Sequence, residues 1–321
     1  MKKIDILKKL INDRCYKLSI LSVMCAICSR CKLGSLYKFF SRKRFDECRV
    51  KIEALKLCDG LATCESNNKK KTSCEGIIWT MWQQGYDNAP EIVKKAIDSK
   101  RVHSNGHDVI VIDKDNVERY VDVPTWMKEK VENGIISLAH FSDYVRSELL
   151  RKYGGLWIDS TVFVVDQIPE YIFEREFWSI HWENNRNWIA SYDKWSVGVL
   201  ASKPDSEIMR FCAQMEKEYW KLMDYPVTYL LLDMFISIYY DKNINFHNLI
   251  DITENNNTYI FNFVEDNASN GNKAFNEFEY SRMRKDTWIF QFTYKENYVS
   301  ELEGQKTFFG KVLEDSLDAI S

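Results

Sequence analysis

No stretch of this 321-residue sequence is apolar over the roughly 20 residues that a membrane-spanning helix requires. The longest apolar run near the N-terminus, Leu18 to Cys28, reaches about half that length. Cysteine is nearly missing from most of the chain: eight of the nine lie at or before position 74, and only Cys212 follows. That distribution and the odd total argue against a disulfide framework and predict a reducing cytosol. Cys25-x-x-Cys28-x-x-Cys31 has no histidine and no second Cys-x-x-Cys pair to complete a zinc site. Those thiols read instead as small apolar residues on one helix face. No internal repeat is visible. No recognised nucleic-acid module accompanies the basic charge, which excludes a nucleic-acid partner. No small-residue cleavage site follows the lysine-flanked apolar run cleanly, so it does not read as a cleaved signal.

What is present is ample material for a core, with 45% hydrophobic and 14% aromatic residues, enough for one large domain or one domain plus an appendage. The net charge of −3 conceals a division. Residues 1–74 hold 18 Lys/Arg against 7 Asp/Glu, and the remainder holds 26 against 40. A basic, helical, Cys-rich N-terminal extension with a polar linker at Thr63 to Ser73 is therefore expected over 1–74, followed by one domain over 75–321. Basic and apolar residues interleaved through 1–45 suit peripheral contact with an anionic membrane surface. The alternative is a helical appendage packed on the domain.

Along the domain, Gly76 to Trp82 and Val109 to Ile112 read as short buried strands. A helix opened by Pro90 lies between them and runs to about Ser99. Strand, helix, strand at this spacing predicts an α/β fold with a mostly parallel central sheet and ligands at the carboxyl ends of the strands. Pro124 interrupts the chain, and Thr125 is expected to cap a helix running to Glu132. Ile136 to Lys152 is a long central helix with Leu138, Phe141, Val145, Leu149 and Tyr153 along an apolar stripe. Phe177 to Trp182 and Val197 to Ala201 are further strands, and helices are expected from Pro204 to Leu222 and Val227 to Tyr240.

The central helix carries Asp143 and Arg146 at i, i+3 spacing, on one face. Gly154-Gly155 then lets the chain reverse. The strand Leu156 to Val165 places Asp159 near its middle, in an apolar run with no other reason to hold a charge. An unpaired buried carboxylate is costly, so Asp159 is expected to meet a cation, a donor cluster or water. Acid, guanidinium and carboxylate converging beside a strand end suit a phosphorylated ligand.

These residues also bear a resemblance. Ser142-Asp143-x-x-Arg146 followed by Tyr153-Gly154-Gly155-Leu156-Trp157-Ile158-Asp159 is similar to the core of the nucleotide-sugar glycosyltransferases of family 32. Within it, the sequence most resembles the capsular polysaccharide synthesis proteins. The likeness extends through Gly76 to Gly85, Asn88-Ala89-Pro90, His107 to Asp113 and Gly134 to Ser137. It implies a GT-A-type, Rossmann-like single nucleotide-binding domain. It also implies that Asp143 and Arg146 act on the donor sugar and its phosphates, as a carboxylate accepts from hydroxyls and a guanidinium donates to phosphate. Trp82, Trp79 and Gly155 join the donor-binding set. Gln291 and Lys295, in a loose C-terminal motif, would close over the diphosphate.

Transfer from a nucleotide sugar needs the leaving diphosphate neutralised, commonly by a divalent metal on an Asp-x-Asp at a strand end. Here the tripeptide is Asp159-Ser160-Thr161, so the expected ligands for Mn²⁺ or Mg²⁺ are Asp159 and Thr161, with weakened binding. Asp143, Arg146 and Asp159 are the expected catalytic residues. His140 and His181 read as structural rather than acid–base groups. The expected function is transfer of a sugar to a capsule or lipopolysaccharide acceptor, lipid-linked, at the cytoplasmic side of the cell membrane, with retention of configuration implied by the resemblance. The alternatives are an inactive scaffold protein of the assembly complex, which the missing second carboxylate favours, and a sugar-phosphate transferase.

Overall fold

A computed structural model describes residues 3–57, 76–182 and 190–318 of the chain. The basic N-terminal segment is helical, with α1 (Lys3–Asn12), α2 (Tyr16–Arg30) and α3 (Gly34–Ala54). α2 and α3 form an antiparallel hairpin, because their paired side chains run in opposite order: Lys17 with Glu47, Ser22 with Arg44, Cys25 with Ser41. One side of this extension is packed on the domain. Leu10, Leu18, Cys48 and Ile52 are buried in the main core, Lys9 Nζ donates to the Asp224 carbonyl at 2.8 Å, and the Tyr225 hydroxyl donates to Asp13 at 2.5 Å. The packed appendage is thus present, while other residues of α2 and α3 stay exposed. The linker expected at 63–73 and the boundary at 74 lie outside the described residues.

After these helices the described chain continues with β1 (Ile78–Met81), α4 (Glu91–Val102), β2 (Val109–Ile112), the short helices α5 (Val117–Tyr120) and α6 (Thr125–Glu132), and the central helix α7 (Leu138–Tyr153). Ser137 caps α7, its hydroxyl accepting the His140 N–H at 3.2 Å. Gly154, at φ +67°, ends it in a backbone conformation open to glycine. β3 (Gly155–Ile158) follows, then β4 (Val162–Val164), β5 (Trp178–Ser179) and β6 (Val199–Ser202). The main sheet has the order β2-β1-β3-β6-β5. β1 is parallel to β2 and β3, but β6 is antiparallel to β3 and β5 to β6. The expected mostly parallel sheet is therefore corrected to a mixed one, with β6 antiparallel to both of its neighbours.

The remaining elements are α8 (Glu207–Leu222), α9 (Leu231–Lys242), α10 (Ile244–Asp251), α11 (Glu277–Met283), β7 (Ile289–Gln291), β8 (Glu301–Leu302), β9 (Gln305–Lys306) and α12 (Phe308–Leu317). Side chains alternate across the sheet. Trp79, Trp157 and Leu200 enter the core under α7, α8 and α9. Ile78, Leu156, Ile158, Val199 and Ala201 pack on the opposite face against Ile260, Phe261 and Ile289. A cavity of about 50 Å³ lined by Ile52, Glu53, Leu57, Met215 and Ile238 is a packing gap between α3 and the α8–α9 layer.

The strand expected over 156–165 is two strands. β3 belongs to the main sheet, whereas β4 pairs with β7 in a separate two-stranded sheet. Asp159 lies between them, in a turn and not in mid-strand.

Candidate active site

The backbone places Asp159 first. Its N–H donates to the Gly198 carbonyl at 2.8 Å and its own carbonyl accepts the Val162 N–H at 3.0 Å, closing the turn from β3 to β4. Asp159 therefore stands at the carboxyl end of the parallel strands. The pairing of Ile78 with Leu156 and Trp79 with Trp157 brings the end of β1 beside it.

The carboxylate is held on one side. Oδ1 accepts from Trp157 Nε1 at 2.8 Å and Arg146 Nη2 at 3.2 Å. Oδ2 lies toward Gly198, where a Cβ would stand 3.0 Å from it. Arg146 also approaches Asp143 Oδ1 at 3.3 Å, donates through Nη1 to the Val197 carbonyl, and stacks 4.8 Å from the Trp157 ring centroid. The three expected residues do converge, but at different depths: the side chains of Arg146, Asp143 and Asp159 are 5%, 12% and 32% exposed. Most Arg146 donors meet protein groups, and Nε has no partner among the described residues. Arg146 and Asp143 form a buried footing under Asp159, with Asp159 alone reaching solvent to a substantial degree.

That footing is acidic. Burial raises the Asp143 carboxyl to about 7, with Arg146 opposing and Asp233 and Asp159 reinforcing the rise. Asp233 on α9 is likewise raised to about 7 by burial, against the pull of Arg146 and the Trp195 indole beside it. Glu216 on α8 is fully buried and pushed well above the carboxylate range, chiefly by burial and then by Asp143. Its Oε2 accepts from Trp220 Nε1 at 3.0 Å. Lys100 on α4 is buried below the same turn, donating to the Ala96 and Val162 carbonyls at 2.8 and 2.7 Å. Burial lowers its pKa to about 7, with Asp159 opposing.

Sequence reasoning missed Asp233, Glu216, Lys100 and Gly198. A signal existed for two of them. Asp233 is a lone acid in the apolar run 230–238, and Lys100 occupies the buried stripe of Val93, Ala96 and Ile97.

Two expected donor contacts are corrected. Trp79 is fully buried and its indole N–H donates to the Gly154 carbonyl at 2.9 Å, so neither ring face is open to a base. Gly155 is buried with φ +94°, and a side chain there would collide with the Ile77 carbonyl. Close strand packing, not ligand approach, requires that glycine. Trp82 fits the expectation better. It is half-buried at the end of β1, edge-on to Tyr294 at 5.4 Å. Trp82 Nε1 and the neighbouring Gln83 Oε1 are buried with no hydrogen-bond partner among the described residues. Gln291 ends β7 opposite Val162, and Lys295 is exposed with Nζ 6.0 Å from the Tyr294 ring.

Tyr229, exposed between α8 and α9, faces the same region. Its hydroxyl pKa is raised by desolvation and by the Asp143 and Asp159 carboxylates. His140 is buried between Trp220 and Tyr229, with Nδ1 2.8 Å from the Ser137 hydroxyl. Burial lowers it to about 4, which keeps it neutral. His181 is buried and bridges Asn256. Thr161 shares the Asp159 turn, and its carbonyl accepts the Phe292 N–H at 3.1 Å. No group of three or more His, Cys, Asp or Glu among the described residues is placed to hold a metal ion.

Comparison with known proteins adds the family. The family model described as "Capsular polysaccharide synthesis protein" matches residues 38–312. "O-glycosyltransferase PaGT" of Phomopsis amygdali is 30% identical over 114 residues, which cover 33% of this chain and 28% of that protein. "O-glycosyltransferase braB" of Annulohypoxylon truncatum is 31% identical over 108 residues, covering 30% and 25%. The matched segment thus spans about a quarter of the length of these curated relatives. A solved structure titled "PaToxG Glycosyltransferase" aligns with a TM-score of 0.35 at 14% identity, over 67% of this chain and 83% of that one.

Proposed function

Because the chain belongs to the family of capsular polysaccharide synthesis proteins, we propose that it is a GT-A-type glycosyltransferase that moves a sugar from a nucleotide-sugar donor to a cell-surface polysaccharide acceptor. The observation that carries this reading is Asp159: a carboxylate at the carboxyl end of parallel strands, with Oδ1 fixed by Trp157 and Arg146 and Oδ2 left free of those donors. Ligands of open α/β sheets bind at that edge. The unpartnered Trp82 Nε1 and Gln83 Oε1 at the neighbouring strand end fit a nucleotide base, which offers both acceptors and donors.

Mg²⁺ is often held by one or two carboxylates together with substrate phosphates and waters. In that mode Asp159 Oδ2, and with it Thr161 in the same turn, would be the protein's share of the ligands, the donor diphosphate and waters supplying the rest. The ion would neutralise charge on the leaving diphosphate. Trp157 and Arg146 hold Oδ1 of Asp159 in place, and Asp143 in turn holds Arg146. In the reaction the sugar C1–O bond to phosphate breaks and a C1–O bond to the acceptor hydroxyl forms. The hydroxyl proton passes to a diphosphate oxygen on the same face, giving a retained anomer. A lipid-linked glycan on the cytoplasmic side of the membrane suits the acceptor.

The test is donor hydrolysis by the wild type and Asp159→Asn, with Mn²⁺ and with Mg²⁺. Activity falling by about 100-fold or more in the variant is expected, the scale on which loss of one electrostatic stabiliser acts. Thr161 in place of a second carboxylate favours a second reading, a scaffold without catalysis. No nucleotide release from any donor, with nucleotide sugars still binding, would establish that reading instead.

A further inference from the structure

The α2–α3 hairpin has a tip that none of the described residues covers. Every residue from Ser29 to Phe39 is exposed. Leu33, Leu36 and Phe39 there are 45%, 48% and 55% open to solvent, and Ile27 leads into the tip in the same state. Burial of such side chains in an apolar phase is favourable, and a soluble surface has no use for four of them together.

The charge around them has one sign. From Arg14 to Phe45 the sequence contains eight Lys/Arg and no Asp or Glu. Acids return only at the hairpin's base, with Asp13, Asp46 and Glu47. Lys17 pairs with Glu47 and Arg44 is tied inward to Ser22 and the Val227 carbonyl. Among the described residues no carboxylate pairs with Arg30, Lys32, Lys38, Arg42 or Lys43. The hairpin is therefore neutralised at its base and cationic toward its tip. An apolar tip ringed by cations matches a bilayer with anionic headgroups, where the apolar side chains enter the acyl boundary and the cations stay at headgroup depth. No helix of the described residues is long and apolar enough to cross the membrane, so the contact is peripheral.

We propose that residues 27–43 dock the protein on an anionic lipid surface by inserting the α2–α3 tip. The inference stands apart from the reaction assigned above, but it has a consequence for it. Arg44 Nη2 and Cys48 Sγ both donate to the Val227 carbonyl, two residues before Tyr229 at the candidate site. Cys48 lies about 20 Å along α3 from Gly34, at 1.5 Å per residue. A docked tip thus holds the site-lining loop within reach of an acceptor anchored in the same membrane.

The test is flotation of the full chain with vesicles of phosphatidylcholine alone and of phosphatidylcholine mixed with phosphatidylglycerol, at low and high salt. Binding only to the anionic vesicles, weakened by salt, is expected. The combined variant Lys38→Glu, Arg42→Glu, Lys43→Glu should weaken it by about 100-fold or more. Leu36→Ser with Phe39→Ser should weaken it too, including in high salt. Thermal unfolding and donor hydrolysis in solution should not change in either. Equal binding to both vesicles, or to neither, overturns the proposal. So does a concentration-dependent dimer in sedimentation that Leu36→Ser with Phe39→Ser abolishes while vesicle binding persists, since a second copy would then be the occupant. Loss of donor hydrolysis in Asp159→Asn leaves the flotation result untouched, so the two readings fail separately.

Discussion

A carboxylate with one oxygen fixed and the other available needs room beside it, and Gly198 supplies that room. A methyl group at 198 would stand 3.0 Å from Asp159 Oδ2 and 3.5 Å from the Ser196 hydroxyl, so the carboxylate must turn aside. Gly198→Ala should lower donor hydrolysis roughly 10- to 100-fold, as sub-ångström misplacement of a reacting group does, with little change in Tm. Steady-state kinetics beside a thermal melt checks both. Asp233 offers a test of the acidic footing. Its folded pKa, about 7, lies above the ordinary carboxylate range. Between about pH 4 and 7 the folded state keeps a proton that the unfolded state has lost, so stability falls as pH rises through that window. Asp233→Asn removes the titration. Its Tm relative to wild type should therefore be several degrees higher at pH 8 than at pH 5, and an equal difference at both would contradict the assignment.

At the scale of elements, the junction of β1 and β3 is the least tolerant point. Gly155→Ala combines a left-handed backbone with a collision at the Ile77 carbonyl. A loss of about 3 kcal/mol or more is expected in urea unfolding, from strain and displaced strand pairing together. The elements themselves were unevenly legible. Val109 to Ile112 matches the expected range to the residue, because it is a short apolar run closed by Asp108 and Asp113, whereas the cap expected at Thr125 falls on Pro124 instead. The break between β3 and β4 was invisible, since apolar residues continue on both sides of Asp159-Ser160-Thr161. What makes the turn is the bond to Gly198, far off in sequence. The meeting of Asp143, Arg146 and Asp159 could be read from helix spacing and a strand end. Their layering could not, because it depends on Val197 and Trp157 claiming the guanidinium. Trp79 and Trp82 looked alike in the sequence, and what separates them is that Trp79 lies inside β1, buried on both faces, while Trp82 stands just past its end.

At the scale of the molecule, the extension and the domain share one interior: Leu10, Leu18, Cys48 and Ile52 are buried with Trp220, Leu231 and Phe235. They should open together. Native-state hydrogen exchange should give the amides of Cys48 and Ile52 the same opening free energy as those of α9, and markedly lower values in α3 would show a separable module. One contact in that shared interior has a mechanical consequence. The peptide oxygen of Val227 is clamped by two side chains from α3, and only Thr228 separates it from Tyr229. Two residues of extended backbone span at most about 7 Å. The phenol that overlooks Asp159 is therefore on a short leash whose fixed end lies in the basic hairpin, and any tilt of that hairpin must be felt where the sugar would sit.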